Sequence, residues 1–153
     1  MKPLKVNKLR TAGLASVNSA KFGMVRKNAD GSPRAHQGID LQANKGDEVY
    51  AVDNGTISSV VYGSSGYGYT VTLKINPTLY AFYAHLSDIN VNVGDTVTKG
   101  QLIAKTGDTG NAKGMSTIAK GGHLHFEFRD RVNVGLGLFG RLDPLKYVEI
   151  DNV

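Results

Sequence analysis

His123-Leu124-His125-Phe126-Glu127-Phe128 alternates strictly between ionisable and apolar side chains. Because successive side chains of a β-strand point to opposite faces, this stretch predicts a strand with one face in an apolar core. The other face would carry His123, His125 and Glu127. Two imidazoles at positions i and i+2 can approach one metal ion, whereas the plainer interpretation is a half-buried strand whose polar side chains meet water. For Glu127 three roles are open, namely a catalytic base, a partner of a metal ligand or a solvated side chain, and the last two are favoured.

A second pair of candidate ligands lies in His36-Gln37-Gly38-Ile39-Asp40. We predict a strand over His36–Leu41, in which His36, Gly38 and Asp40 share one face. Gly38 leaves space between the imidazole and the carboxylate, and both groups are ordinary zinc ligands. The structural alternative is a hydrogen-bonded His beside a surface Asp at a strand end.

The fourth histidine, His85, ends a predicted strand over Leu79–His85, and alone it would more often be structural than catalytic. Together, however, the three segments offer four imidazoles and one carboxylate. A catalytic zinc uses three protein ligands and keeps one position open, so two His and one Asp suffice. The other two His would remain for proton transfer near neutral pH. The chain has no Cys, which excludes thiolate sites and Cys nucleophiles, and it has no G-x-S-x-G motif, which disfavours a serine hydrolase.

The middle of the chain consists of short segments rich in β-branched and aromatic residues, separated by Gly and Asn. Further strands are predicted over Glu48–Val52, Gly55–Tyr62, Tyr69–Ile75 and Gln101–Lys105. Gly accounts for 19 of the 153 residues, which indicates many tight turns. We therefore predict a mostly β fold with an antiparallel β core of barrel-sandwich-hybrid type and short helical segments at the ends.

A weak internal repeat supports this fold class. Gly46-Asp47-Glu48-Val49 recurs as Gly94-Asp95-Thr96-Val97, each before a predicted strand. Lipoyl and biotinyl carrier domains share such a hairpin start. Neither Lys99 nor Lys105 has the flanking residues that an attachment lysine of those domains needs, so the carrier interpretation is disfavoured.

The chain shows no linker, and we predict a single domain over residues 1–153. It would comprise an aperiodic N-terminal arm over 1–33, with one short helix or turn, and a core over 34–148 that closes with a short turn or helix within Leu138–Val148. Hydrophobic residues are 41% and charged residues 20%, which excludes a disordered chain. The sequence has no apolar run of membrane-spanning length and no apolar segment after its basic start, so we expect neither a membrane span nor a Sec signal peptide.

The motifs above, in this order, resemble those of the lysostaphin or LytM type of zinc endopeptidase, the M23 peptidase family. The segments that carry the resemblance are His36-x-Gly38-x-Asp40, Tyr83-Ala84-His85-Leu86, Gly107-Asp108-Thr109-Gly110-Asn111 and His123-Leu124-His125-Phe126. The resemblance extends over about residues 22–147. It implies a β core with a groove that holds one zinc ion per chain.

The same resemblance assigns roles to the five motif residues. His36, Asp40 and His125 should be the zinc ligands. His85 and His123 should flank the open position, where one takes a proton from the attacking water and the other stabilises the tetrahedral oxyanion. We favour His123 as the base.

The implied substrate is bacterial peptidoglycan, cut in its peptide cross-links or stem peptides. We choose links from D-Ala to meso-diaminopimelate, because Lys113 and Lys120 of the long loop Ala112–Gly122 are expected near the groove, where they would pair with the free carboxylate of diaminopimelate. A disordered surface loop is the alternative for that segment. The competing functions are a glycyl-glycine endopeptidase and a non-catalytic LytM-like regulator of cell-wall hydrolases.

Partners and location follow from the same resemblance. We expect action in the periplasm or at the cell wall, often that of a target cell as an antibacterial effector, and we expect a monomer. A proteinaceous inhibitor or a delivery machine is a further candidate partner. The formal charge of +5 suits a polyanion, but the basic residues are dispersed and lack an aromatic set, so nucleic acid is not expected.

Overall fold

Antiparallel strands make up most of the regular secondary structure in the computed structural model, which describes residues 1–151. The strands are β1 (Gly23–Lys27), β2 (Pro33–His36), β3 (Ile39–Gln42), β4 (Glu48–Tyr50), β5 (Gly55–Tyr62), β6 (Tyr69–Asn76), β7 (Leu79–Ile89), β8 (Thr96–Val97), β9 (Leu102–Thr106), β10 (His123–Arg129) and β11 (Arg141–Leu142). The helical segments are short 3₁₀ turns at Val17–Ala20, Gly110–Ala112, Ile118–Lys120 and Pro144–Lys146. None of the helices described is long and apolar enough to cross a membrane.

The larger sheet is built around β10 and β7. Its main path runs β11-β10-β7-β6-β5-β8, β3 pairs with β10, and β9 joins β7 to β4. All of these pairings are antiparallel, and β1 and β2 form a separate antiparallel hairpin. The predicted class, a mostly antiparallel β core, is therefore confirmed, although the path through the described strands does not close into a barrel.

The apolar face predicted for residues 123–128 forms the centre of the core. Leu124, Phe126 and Phe128 are fully buried, and the Phe126 ring meets the Tyr83 ring edge to face at 5.1 Å. The Tyr83 hydroxyl is also satisfied, since it donates to the Tyr50 carbonyl and accepts from the Val52 amide. Burying each such aromatic side chain stabilises the fold by about 1.5–3 kcal/mol.

The internal repeat corresponds to two copies of one turn. In the first, the Asp47 carboxylate accepts from the Asn44 amide and Gly46 has φ 97°. In the second, the Asp95 carboxylate accepts from the Asn92 amide and Gly94 has φ 94°. In each copy the Asp amide also donates to the Asn carbonyl at 3.1 Å, so a four-residue turn with a left-handed glycine at its third position precedes β4 and β8, each of which then buries its valine.

The predicted strand over His36–Leu41 is wrong in one respect, because it is two strands in different sheets. β2 ends at His36 and β3 begins at Ile39. At the bend between them, Gly38 packs on the backbone of β10, where a Cβ would collide with the Phe126 carbonyl oxygen. Only glycine fits there, and the bend rather than strand alternation brings His36 towards Asp40.

β7 is longer than predicted and changes partners at His85. Its first part pairs with β6 and β10, whereas Leu86–Ile89 pairs with β9. At the change, His85 has φ 58°, a left-handed backbone conformation that is uncommon for a residue other than glycine. Such residues occur most often at functional sites.

The N-terminal arm is more structured than its sequence indicates. Leu4 forms an isolated bridge with Val49, and Leu9 forms one with Leu41. The arm also contributes the whole of β1, and its Leu4 side chain lies in the core. The start of the arm therefore packs against β3 and β4.

Candidate metal centre

Three of the predicted site residues converge from three strands. Asp40 on β3 lies opposite His125 on β10 in the antiparallel register, and His36 reaches the same point from the end of β2. Asp40 Oδ1 is 3.1 Å from His36 Nε2 and 3.1 Å from His125 Nδ1. One ligand atom from each residue lies within 4.8 Å of the other two, and all three residues are buried.

The hydrogen bonds of the two histidines set which ring nitrogen faces Asp40. His36 donates from Nδ1 to the Lys21 carbonyl at 2.9 Å, which leaves Nε2 for the centre. His125 donates from Nε2 to Glu127 Oε2 at 2.7 Å, which leaves Nδ1 for the centre. Two imidazoles and one carboxylate, oriented in this way, are a donor set that fits zinc with an open fourth position.

The electrostatics of this centre favour a positive charge between Asp40 and His125. Burial lowers the pKa of the His125 imidazole, but its hydrogen bonds to Asp40 and Glu127 outweigh burial and raise that pKa to about 9. Burial acts to raise the pKa of Asp40, but the surrounding histidines, His123 first, hold it well below its usual value. Such a positive charge can be a proton or a metal cation.

Glu127 is fully buried, so a solvated role for it is wrong. Besides accepting from His125, its carboxylate accepts from Arg129 Nε at 2.8 Å and from Arg141 Nε at 2.7 Å. Burial acts to raise the pKa of Glu127, but its bond to His125 and the two guanidinium groups lower it to about 2. Glu127 is therefore an ionised partner that orients His125.

His85 and His123 lie together beside the centre. Their ring centroids are 5.1 Å apart, and each ring donates from Nδ1 to a backbone carbonyl, Thr109 for His85 and Gly121 for His123. His123 Nε2 lies 3.8 Å from Asp40 Oδ2. Burial lowers the pKa of both imidazoles, to about 4 for His85, so both are neutral near pH 7 with Nε2 as a proton acceptor.

Sequence reasoning missed two arginines at the centre. Asp40 Oδ2, the oxygen turned away from His36 and His125, accepts from Arg26 Nη2 at 2.8 Å and from Arg10 Nη1 at 3.3 Å. Both arginines belong to the aperiodic arm, in which no motif or periodicity marks them. Only the folded chain places them against β3.

A cleft of about 790 Å³ opens over these residues. Tyr67 forms part of its wall and stacks on the His125 ring, with centroids 5.4 Å apart, while its hydroxyl accepts from Gln37. Among the residues that the structure describes, those lining the cleft include a single carboxylate, Asp40, and three arginines, Arg10, Arg26 and Arg34. Its wall is thus basic apart from the candidate ligand.

The expectation that Lys113 and Lys120 lie at the groove is wrong. Both are exposed, and within residues 1–151 the lining takes Asn111 and Met115 from this region instead. The loop Ala112–Gly122 has a defined course, because Gly122 accepts from Ala43 and Ser116 accepts from Lys45 through backbone bonds. These bonds fold the loop back on the turn that precedes β4, and neither lysine belongs to the cleft lining.

The family model named Peptidase family M23 matches residues 34–135, about two thirds of the chain, and this range holds all five motif residues. The chain belongs to peptidase family M23. The resemblance seen in the sequence is thereby confirmed.

Curated relatives of this M23 chain include peptidases and an activator. An uncharacterized metalloprotease of Haemophilus influenzae is 38% identical over 72% of this chain and 22% of that protein. The glycyl-glycine endopeptidase ALE-1 of Staphylococcus capitis is 38% identical over 60% of this chain and 24% of its own length. The murein hydrolase activator NlpD of Salmonella dublin is 33% identical over 82% of this chain and 29% of its own length. The chain spans less than half the length of each of these relatives.

The fold agrees with that of a solved M23 enzyme. The catalytic domain of the antimicrobial peptidase lysostaphin from Staphylococcus simulans superposes with a TM-score of 0.67 at 28% identity. The superposition covers 83% of this chain and 87% of that one.

Proposed function

We propose that this chain is a zinc-dependent endopeptidase that hydrolyses peptide bonds of bacterial peptidoglycan. The observation that carries the proposal is the convergence of three side chains in the cleft, where His36 Nε2 and His125 Nδ1 each lie 3.1 Å from Asp40 Oδ1. When bound there, zinc would acidify a water and polarise the scissile carbonyl. One ion per chain is expected.

His123 and His85 are the proposed catalytic residues. His123 Nε2 would take the proton of the attacking water and pass it to the leaving amine, because Nδ1 is already bonded to the Gly121 carbonyl whereas Nε2 lies beside the candidate ligand Asp40, 3.8 Å from Oδ2. His85 would hold the developing oxyanion through a proton on Nε2, since its Nδ1 is already committed to the Thr109 carbonyl. Because the neutral ring has no proton on Nε2, His85 would take this proton from solvent as negative charge develops beside it, and return it when the oxyanion collapses.

We propose that the bond cut is the link from D-Ala to meso-diaminopimelate, and the residue that supports this is Arg34 rather than Lys113 or Lys120. Arg34 is exposed and lines the cleft, and on the β1–β2 hairpin it lies opposite Arg26, whose charge is compensated by Asp40. Arg34 can therefore pair with a substrate carboxylate. Diaminopimelate carries such a group beside the cross-link, whereas a glycine bridge does not.

The enzyme assignment is tested by metal content and by digestion of purified walls. Wild-type protein should carry one zinc, and Asp40→Ala and His125→Ala should lose zinc and activity together. On walls with direct diaminopimelate cross-links, wild-type protein should convert dimers to monomers, as mass spectrometry of the fragments would show. Full zinc occupancy in both variants would overturn the ligand assignment.

Two competing functions are outcomes of the same assays. Release of glycine-terminated fragments from glycine-bridged walls, with diaminopimelate dimers untouched, would establish a glycyl-glycine endopeptidase, as the name of the Staphylococcus capitis relative suggests. Absence of stoichiometric zinc and of cleavage in both walls, with stimulation of a separate wall hydrolase, would establish a regulator like the Salmonella activator.

The proposed place of action is the cell envelope. Lipoproteins are among the relatives, such as an NlpD/LppB homolog of Pseudomonas aeruginosa that is 33% identical over 74% of this chain and 33% of its own length. Peptidoglycan is the proposed partner, and the basic cleft suits its carboxylates. An effector role, a protein inhibitor and a monomeric state remain predictions of the sequence.

A further inference from the structure

The two oxygens of the Asp40 carboxylate have separate sets of partners. Oδ1 faces the ring nitrogens of His36 and His125, each at 3.1 Å. Oδ2 faces the guanidinium groups of Arg26, at 2.8 Å, and Arg10, at 3.3 Å. Since the Asp40 side chain is only 2% exposed, solvent cannot take over the role of either set.

Each arginine is itself held in place. Arg26 also donates from Nε to the Ser19 carbonyl at 2.9 Å. Arg10 donates from Nε to the Ala12 carbonyl at 2.8 Å, and its backbone amide donates to the Asp40 carbonyl at 2.9 Å. Both guanidinium groups are therefore fixed relative to β3, and each has a donor left for Oδ2.

We propose that Arg10 and Arg26 are positioning residues that hold Asp40 with Oδ1 turned towards the metal. The inference rests on the proposed metal centre, and it concerns residues outside the range 34–135 that the family model matches. It gives the N-terminal arm a function, since two separate parts of the arm supply the groups that orient one candidate ligand of the core.

Removing one of these arginines should change the metal affinity in opposite directions, depending on whether the arginine acts by orienting Asp40 or only through its charge. A guanidinium group close to the centre repels a divalent cation, so a group that acted only through its charge would weaken metal binding, and its removal would tighten it. A group that orients a ligand strengthens binding, and loss of such a partner typically weakens metal affinity about 10–100-fold. The sign of the change therefore separates the two roles.

The experiment compares zinc affinity in Arg26→Ala, Arg26→Lys and Arg10→Ala with that of wild-type protein, by competition with a chromophoric chelator. Lys27→Ala is the matched control, because it removes the same charge from the next, exposed position of β1. Co²⁺-substituted samples provide a second readout, since their visible absorption reports the ligand geometry. Thermal unfolding of each metal-free variant identifies any that fails to fold.

Arg26→Ala should bind zinc about 10–100-fold more weakly than wild-type protein and shift the Co²⁺ spectrum. Arg26→Lys should recover part of the affinity, and Lys27→Ala should match wild-type protein. Arg26 is the main test, because its side chain is 22% exposed, whereas Arg10 is more deeply packed and its variant can lose stability.

Three results would overturn the inference. They are tighter zinc binding by Arg26→Ala, an unchanged affinity and spectrum in a folded Arg26→Ala, and a loss as large in Lys27→Ala. A wild-type chain that binds zinc but cuts no wall would contradict the proposed enzyme while leaving the positioning role supported by the metal data. A wild-type chain that binds no zinc would overturn both.

Discussion

Replacing Glu127 with Gln should both destabilise the fold and weaken the metal centre. Glu127 is fully buried and accepts three charge-assisted bonds, from His125 at 2.7 Å, Arg141 at 2.7 Å and Arg129 at 2.8 Å. Gln keeps the shape, but its amide group brings N–H donors against N–H donors and its single carbonyl oxygen cannot serve all three. The Gln carbonyl oxygen can replace Oε1, which accepts from both arginines, or Oε2, which accepts from His125, so either the two guanidinium groups or the His125 ring loses its acceptor.

The magnitude follows from the burial of this network. Breaking a buried ion pair costs about 3–5 kcal/mol of unfolding free energy, whichever partner is removed. In a chain of this length, 1 kcal/mol changes Tm by about 2–4 °C, so Glu127→Gln should melt about 6–20 °C below wild-type protein. Zinc affinity should fall about 10–100-fold, because His125 loses the acceptor that directs Nδ1 to the centre.

Thermal and urea unfolding should be measured with chelator present, so that stability and metal binding are separated, and zinc affinity should be measured independently. Asp130→Asn is the matched control, because it removes a carboxylate that pairs with an arginine on the surface just after β10, and it should stay close to wild-type protein. The reasoning is refuted if Glu127→Gln melts within about 2 °C of wild-type protein, less than 1 kcal/mol by the same conversion, with unchanged zinc affinity.

Three further predictions concern the catalytic pair and the charge of the chain. His123→Ala and His85→Ala should keep one zinc per chain and lose about 10²–10⁴-fold in turnover, and a proportional loss of zinc would make either residue a ligand instead. Because the pKa of His85 in the fold, about 4, lies below its ordinary value of 6.5, its stabilising contribution is present above pH 6.5 and is lost as the pH falls towards 4. Metal-free wild-type protein should thus lose unfolding free energy more steeply over that range than His85→Asn, and parallel pH profiles would contradict this. Binding to whole walls should weaken as salt is raised past 0.15 M, where the screening length is about 8 Å, while turnover of a small soluble peptide changes little, and equal salt dependence would remove charge steering.

The parts of the site that could be predicted from sequence are those encoded by a local pattern. In residues 123–128 the alternation of side chains determines both the strand and its buried apolar face, and the structure has β10 over His123–Arg129. Gly55–Tyr62 likewise forms a strand with the bounds predicted for it. The repeated Gly-Asp turn is also local, because the Asp carboxylate and the left-handed Gly lie within four residues.

The parts that could not be predicted depend on contacts between distant segments. Arg10 reaches Asp40 across thirty residues of sequence, and nothing in its neighbourhood shows that it will be buried. The bend at Gly38 depends on the approach of β10, which is far along the chain. Lys113 and Lys120 were expected at the groove because they precede His123 in sequence, but the loop folds towards the turn at Asn44, where Asn44 Oδ1 accepts from the Ile118 amide.

The charge distribution in the cleft links the arm to the choice of substrate. Two of the three arginines that line the cleft, Arg10 and Arg26, form ion pairs with Asp40. A zinc ion bound there would therefore share with both arginines the single carboxylate among the described lining residues. Asp40 contributes one negative charge, and the remaining positive charge of the arginines and the zinc ion must be balanced by solvent, by mobile anions or by the substrate. Arg34 lies at the exposed end of this set, where pairing with an anionic group costs the least desolvation. A peptide with a carboxylate next to its scissile bond therefore gains attraction from the whole cleft, whereas a neutral glycine bridge gains none, and this difference in charge is the physical basis for choosing diaminopimelate links.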